Sequence, residues 1–136
     1  MTTTIVTGSL HRVQRGHGKR FVTERPAAEP VHSPSRVALT LALAHSIERM
    51  ISERRVVDQA EVARRLGLTR ARITHLVRLT FLAPDLQEFV LDMEAVDGQE
   101  PISERPLRQI ASIFSWREQR QAWHAAGLHK LGKVRA

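Results

Sequence analysis

The sequence reads as all-α: a compact bundle of about six helices with flexible basic arms at its two ends. Three observations lead there. Apolar residues make up 42% of the 136 residues but aromatics only 4%, with no tyrosine, and an interior of Leu, Ile, Val and Ala suits helix packing better than a sandwich of sheets. Apolar positions recur at spacings of three and four through much of residues 33–127, the period of a helix buried on one face. Cap residues stand ahead of these runs, and glycines close several of them.

The elements follow in order. Residues 1–32 carry Gly8, Gly16, Gly18, Pro26 and Pro30 and no helical period. They read first as a flexible basic arm and second as a short hairpin around Gly16-His17-Gly18. The helical domain spans 33–127. Ser33-Pro34 is a helix start, and Val37, Leu41, Ala44, Ile47 and Ile51 form a stripe, widened by Leu43 and Met50, that carries a helix to about Arg55. Asp58 caps Gln59–Leu66, which Gly67 stops, and Thr69 caps a third helix from Arg70 to about Thr80. Ala83-Pro84 opens a fourth helix, with Leu86, Phe89, Val90 and Met93 inward, and Asp97-Gly98 is a turn. Ser103 caps a fifth, with Leu107, Ile110, Ala111 and Phe114 inward. Ser115 and Glu118 form a capping box for a sixth, which carries Trp116 and Trp123 and ends before Gly127. Residues 128–136 are a basic tail.

The centre of the chain carries the functional signal. Two helices joined by a tight turn need a small residue beneath the second helix, a glycine in the turn and an apolar seam that sets the crossing angle. Ala63, Gly67 and the set Val62, Leu66, Leu68, Ile73 and Leu76 meet those needs over Gln59–Arg78, which reads as a helix-turn-helix. Such a unit lays its second helix in the DNA major groove with its first residues at base edges. Ile73, Leu76 and Val77 turn inward, leaving Thr69, Arg70, Ala71, Thr74 and His75 as candidate base readers. Arg70 is preferred, because a guanidinium fork matches the O6 and N7 of guanine. Thr69 has a competing task as the helix cap. Arg64, Arg65, Arg72 and Arg78 are candidate phosphate contacts.

Charge points the same way. The net charge is +7 and the isoelectric point about 11.3, which favours a polyanionic partner. Residues 59–78 hold five arginines against one acid, whereas 82–104 hold seven acids and no Lys or Arg. The acidic stretch is either a solvated face or a surface for a protein partner. One recognition helix spans too few base pairs for genomic specificity, so a homodimer on double-stranded DNA is expected.

Other chemistries lack their residues. Without cysteine there is no disulfide, thiol nucleophile or zinc ribbon. The close histidine pairs His11/His17 and His124/His129 have no acidic or Cys partner at ligand spacing, so no metal and no cofactor is expected. The serines that invite attention (Ser33, Ser103 and Ser115) are accounted for as caps, and the chain is not read as an enzyme. No segment approaches the roughly 20 apolar residues of a membrane span, and Met1–Gly8 is not a secretory signal. A cytoplasmic, nucleoid-associated protein is the expectation.

The run from Asp58 to Thr74, with its continuation Leu82-Ala83-Pro84-Asp85-Leu86-Gln87, resembles the helix-turn-helix of ParB/KorB-type DNA-binding proteins. The resemblance extends over about 36–125 and is specific over 58–92. It implies a helical operator- or centromere-like DNA-binding domain acting in transcription control, partition or mobile-element maintenance. Residues 1–32 are too few and too interrupted to form the nucleotide-binding domain that precedes this region in that family, and Arg15-Gly16-His17-Gly18-Lys19 is not a phosphate loop. Clamping on DNA driven by a nucleotide is therefore not expected. A sequence-specific regulator is the first reading. An accessory or architectural factor for recombination or partition is the second, and a helical adaptor that binds no DNA is the third.

Overall fold

The computed structural model describes residues 3–5, 7–8, 10–15, 18–22 and 27–131. The chain forms two units, 1–30 and 31–136. In the first, strands β1 (His11–Arg15) and β2 (Gly18–Val22) pair antiparallel from His11↔Val22 to Arg15↔Gly18. The strand pairing of 11–15 with 18–22 follows the second of the two expectations, a short hairpin, while Gly16 and His17 of its expected turn lie outside the described residues.

The second unit runs β3 (His32–Pro34), α1 (Arg36–Ser52), α2 (Gln59–Leu66), α3 (Arg70–Arg78), α4 (Pro84–Leu91), β4 (Glu94–Val96), α5 (Glu104–Ala111) and α6 (Trp116–Ala125). Short 3-10 turns at Leu79–Phe81 and Leu128–Leu131 follow α3 and α6. All six expected helices are present, and the fold is mostly α. Two short strands were not expected. β3 pairs antiparallel with β4 from His32↔Val96 to Pro34↔Glu94. This ladder takes up Ser33-Pro34, so the α1 cap moves to Ser35, whose buried Oγ accepts from the Ala38 N–H at 3.2 Å. Asp97 and Gly98 both have positive φ (51° and 77°), and Val96 and Gln99 exchange backbone bonds across them. Two successive positive φ values give the turn whose twist matches a hairpin.

α1 stops at Ser52, short of the expected Arg55. Arg54 adopts φ 56°, and the N–H groups of Arg54 and Arg55 return to the carbonyls of Ile51 and Met50. This left-handed closure usually takes glycine, so an arginine there hides the stop from sequence.

α1 serves two cores. Val37 and Leu41 pack with Leu79, Leu82, Leu86, Val90, Leu107 and Trp123, while Ala44 and Ile47 pack with Val62, Ala63, Ile73, Leu76 and Val77. Trp123 meets Phe89 edge-to-face at 5.3 Å, the geometry that aligns ring edge with ring face. Leu128, assigned by sequence to the tail, is buried in the first core, while 132–136 lie outside the described residues. Leu43 lies on the surface and Phe114 is wholly exposed, against the expectation that both face inward.

The link from α3 to α4 is buried, with Leu79, Leu82 and Ala83 at 1% exposure or less. Buried peptide groups must find partners, and two glutamines supply them. Gln119 of α6, itself 1% exposed, accepts from the Ala83 N–H at 2.7 Å and donates to the carbonyls of Phe81 (3.0 Å) and Ile113 (2.8 Å). Gln87 of α4 donates to the carbonyls of Thr80 and Leu82, both at 2.8 Å. Arg120 beside Gln119 adds a two-pronged bond to Asp85 (2.9 Å each) and holds that carboxyl below its usual range.

Gln119→Leu preserves volume but strands three buried groups, and should lower stability by about 2–4 kcal/mol, read as the loss in urea midpoint at unchanged slope. Because the folded pKa of Asp85 lies below the unfolded one, its pairing helps above the ordinary carboxylate range and is lost as pH falls through the lowered value. Asp85→Asn should therefore flatten the acid side of the melting-temperature profile and leave its shape near neutrality unchanged.

Candidate nucleic-acid interface

The interface is built from α2, its turn and α3. Asp58 caps α2 by accepting from the Glu61 N–H at 2.8 Å. Glu61 replies by accepting from the Val57 N–H at 2.6 Å and from the Arg65 guanidinium, and these bonds hold its carboxyl below the usual range. α2 ends at Gly67, with φ 65° and ψ 27°, and the Leu68 N–H reaches back to the Ala63 carbonyl at 3.0 Å. A Cβ at Gly67 would meet nothing within 4 Å, so the need for glycine is one of backbone conformation alone. Thr69 then caps α3, its Oγ1 accepting from the Arg72 N–H at 3.1 Å.

Ala63 is buried, as a close helix crossing requires, and Val62, Ile73, Leu76 and Val77 form the seam. Leu66 and Leu68 do not belong to it. They are 47% and 39% exposed, at the end of the eight-residue α2 and just after Gly67.

With Ile73, Leu76 and Val77 buried, α3 turns a polar face outward. Thr69, Arg70 and Ala71 are exposed there, and Thr74 and His75 are half-buried. All five candidate readers thus share the surface at and after the start of α3. Two hydroxyls are partly committed. Thr69 spends a lone pair on its cap but keeps its O–H free to donate, whereas Thr74 donates its O–H to the Arg70 carbonyl at 3.1 Å and can only accept. Arg70 is fully available, since among the described residues its side chain has neither a hydrogen bond nor an ion pair.

The four candidate phosphate arginines divide. Arg64 and Arg78 are exposed and unpaired among the described residues. Arg65 lies against Glu61, and Arg72 donates through Nη1 to both carboxylate oxygens of Glu104 on α5, at 2.8 and 2.9 Å. Sequence spacing could not reveal the second pair, whose members are 32 residues apart. Nor could it reveal how five of the seven acids of 82–104 are engaged within the fold. Asp85 bonds Arg120, Glu94 bonds His32, Asp97 accepts from the Val31 N–H, Glu100 from the Arg36 N–H, and Glu104 holds Arg72. Sequence reasoning also missed a cleft of about 550 Å³ at the end of α3, where Arg78 stands beside exposed Phe81, Phe114 and Trp116.

The model of the ParB HTH domain family matches residues 39–134, most of the chain and all of α2, α3 and the buried link. The chain belongs to the ParB helix-turn-helix family. No curated protein and no solved structure matches it. Family and geometry agree on the coarse activity, which is DNA binding through a helix-turn-helix. Among the described residues, no helix is long and apolar enough to cross a membrane.

Because only its φ demands glycine, Gly67→Val should lower stability by about 1–3 kcal/mol, whereas Gly67→Asn, a residue that tolerates this conformation, should lose less than half as much. Thermal melts of the two variants check this, and equal melting of parent and Gly67→Val would displace the turn.

Proposed function

We propose that this ParB-family domain is a sequence-specific regulator of transcription that reads the major groove of double-stranded DNA with α3, acting as a homodimer in the cytoplasm on the nucleoid. The observation that carries the reading is Arg70. It stands at the first position of α3, exposed and unpaired, on a helix whose opposite face is fixed in the core by Ile73 and Leu76. A donor fork on a rigid element, free of internal partners, suits recognition of a guanine edge. Thr74, able only to accept, and His75 beside it extend the same face along the groove. Arg64 and Arg78, unpaired on the two helices, suit phosphates on either side. We propose no catalytic step for any residue.

The homodimer follows from reach. One recognition helix contacts a few base pairs, and two of them about 34–36 Å apart read successive turns of one face of DNA. The positive N-terminal unit, with Arg12, Arg15, Lys19 and Arg20 on its hairpin strands, adds attraction that does not depend on sequence.

Selection of bound sites from random duplexes tests the reading, and a two-fold symmetric motif is expected. Arg70→Ala should weaken binding at the selected site by about 1–3 kcal/mol, change binding to scrambled DNA little, and relax the choice at one base pair per half-site. Removal of residues 1–30 should weaken binding to both duplexes and leave the motif unchanged. Equal affinity for all sequences, unmoved by Arg70→Ala, would overturn the assignment of α3 as reader.

A further inference from the structure

Arg72 is the one arginine of α3 tied to another helix, and its partner is unusually placed. Glu104 stands at the first position of α5 and is 19% exposed, with both oxygens accepting from Nη1 of Arg72. A second guanidinium waits behind it. Nε of Arg108, one turn along α5, lies 3.6 Å from the same Glu104 oxygen and is buried without a hydrogen-bond partner among the described residues. A buried donor left unmade is costly, and the carboxylate already at ion-pair distance from it, now hydrogen-bonded to Arg72, is a group that could satisfy it. The pair lines an open groove of about 490 Å³ between α1, α3 and α5, so Arg72, 41% exposed, has room to leave.

We infer that Glu104 is a specificity-determining latch: it stands in for a phosphate and holds Arg72 off non-specific DNA, and it hands Arg72 to the backbone only when α3 seats in its preferred site, turning then to Arg108. The inference rests on α3 as the reader. Its physical basis is a difference in cost. Removing Arg72 from a partly buried carboxylate would ordinarily strand a charge, but the Arg108 Nε receives that carboxylate and gains its missing partner. A phosphate presented at fixed geometry by a seated helix can then compete. Phosphates that pass loosely in non-specific complexes, where the helix is not held in the groove, do not. One contact is thereby reserved for the correct sequence, which widens discrimination without touching a base.

Salt dependence tests this, because each phosphate neutralised steepens the dependence of affinity on salt by about one unit of slope. Slopes are measured for the full chain on the selected duplex and on a scrambled one, with circular dichroism confirming the fold of each variant. Arg72→Gln should flatten the slope by about one on the selected duplex and leave the scrambled slope unchanged. Glu104→Gln should do the converse, steepening the scrambled slope by about one, with a gain of several-fold in scrambled affinity and no change on the selected site. Arg108→Met, which removes the receiving group, should weaken selected binding several-fold and spare scrambled binding. A purely structural tie between α3 and α5 predicts lower melting temperatures with both slopes unmoved, and that result would overturn the latch. So would equal flattening of both slopes by Arg72→Gln. If Glu104→Gln does not fold, the Arg72→Gln and Arg108→Met pairs of slopes decide alone. Arg70→Ala separates the two levels: if no duplex is preferred, the reading of α3 fails, and if one is preferred and Arg70→Ala relaxes it while the slopes behave as for a structural tie, only the latch fails.

Discussion

The architecture depends on burying the peptide groups between α3 and α4. This link lies at the meeting point of α1, α4, α5 and α6, where Leu79, Leu82 and Ala83 are almost wholly excluded from water. Hydrophobic burial draws the segment in, but its carbonyls and the Ala83 N–H would oppose burial if left bare. Gln119 resolves this with three bonds, two to the link and one to Ile113 before α6, and Gln87 closes two more carbonyls. An amide serves here because it donates and accepts without charge. A carboxylate could not donate to the Phe81 and Ile113 carbonyls, and an ammonium could not accept from Ala83. This polar knot ties the chain that follows α3 to α6 through Gln119 and to α4 through Gln87.

α1 provides the complementary apolar constraint. Its first half belongs to one core and its second half to the other, so the helix-turn-helix is seated on the same rigid rod that supports α4 and α5. The outward face of α3 is therefore held from two sides. Ile73, Leu76 and Val77 fix its rotation against α1 and α2, and the knot beyond Leu79 fixes where it ends. A recognition helix, the role proposed for α3, gains specificity only if its readers are presented at a fixed angle, and this packing would hold them at one.

The distribution of charge follows from the fold rather than from composition. Seven acids in 82–104 suggest a negative face when read along the chain. Folding brings Arg36, Arg72, Arg120 and His32 to four of them, from elements on both sides of the stretch in sequence. The positive excess is correspondingly left on residues such as Arg64, Arg70 and Arg78, which make no internal hydrogen bond or ion pair among the described residues. Most of these surface pairs contribute little to stability. Their larger effect is to decide which cations remain free to meet a polyanion.

The sequence by itself determined the six helices, the turn at Gly67, the caps at Asp58, Thr69 and Ser115, and the outward face of α3. These are local matters: a cap bonds an N–H three residues on, and an apolar period shows which side of a helix is buried. Where a local signal was absent, the reading went astray. Arg54 closes α1 in a conformation that composition does not advertise, and the three-residue strands β3 and β4 pair across the 59 residues from 35 to 93. Leu66, Leu68 and Phe114 are apolar, yet they lie where no neighbouring element covers them. Only the tertiary structure decided that Gln119 is a core residue and that Arg72 is held by Glu104, since such partners are chosen by proximity in space, which no periodicity along one segment records. The sequence could state which residues form α3, but which of its arginines stand free depended on where α5 came to rest.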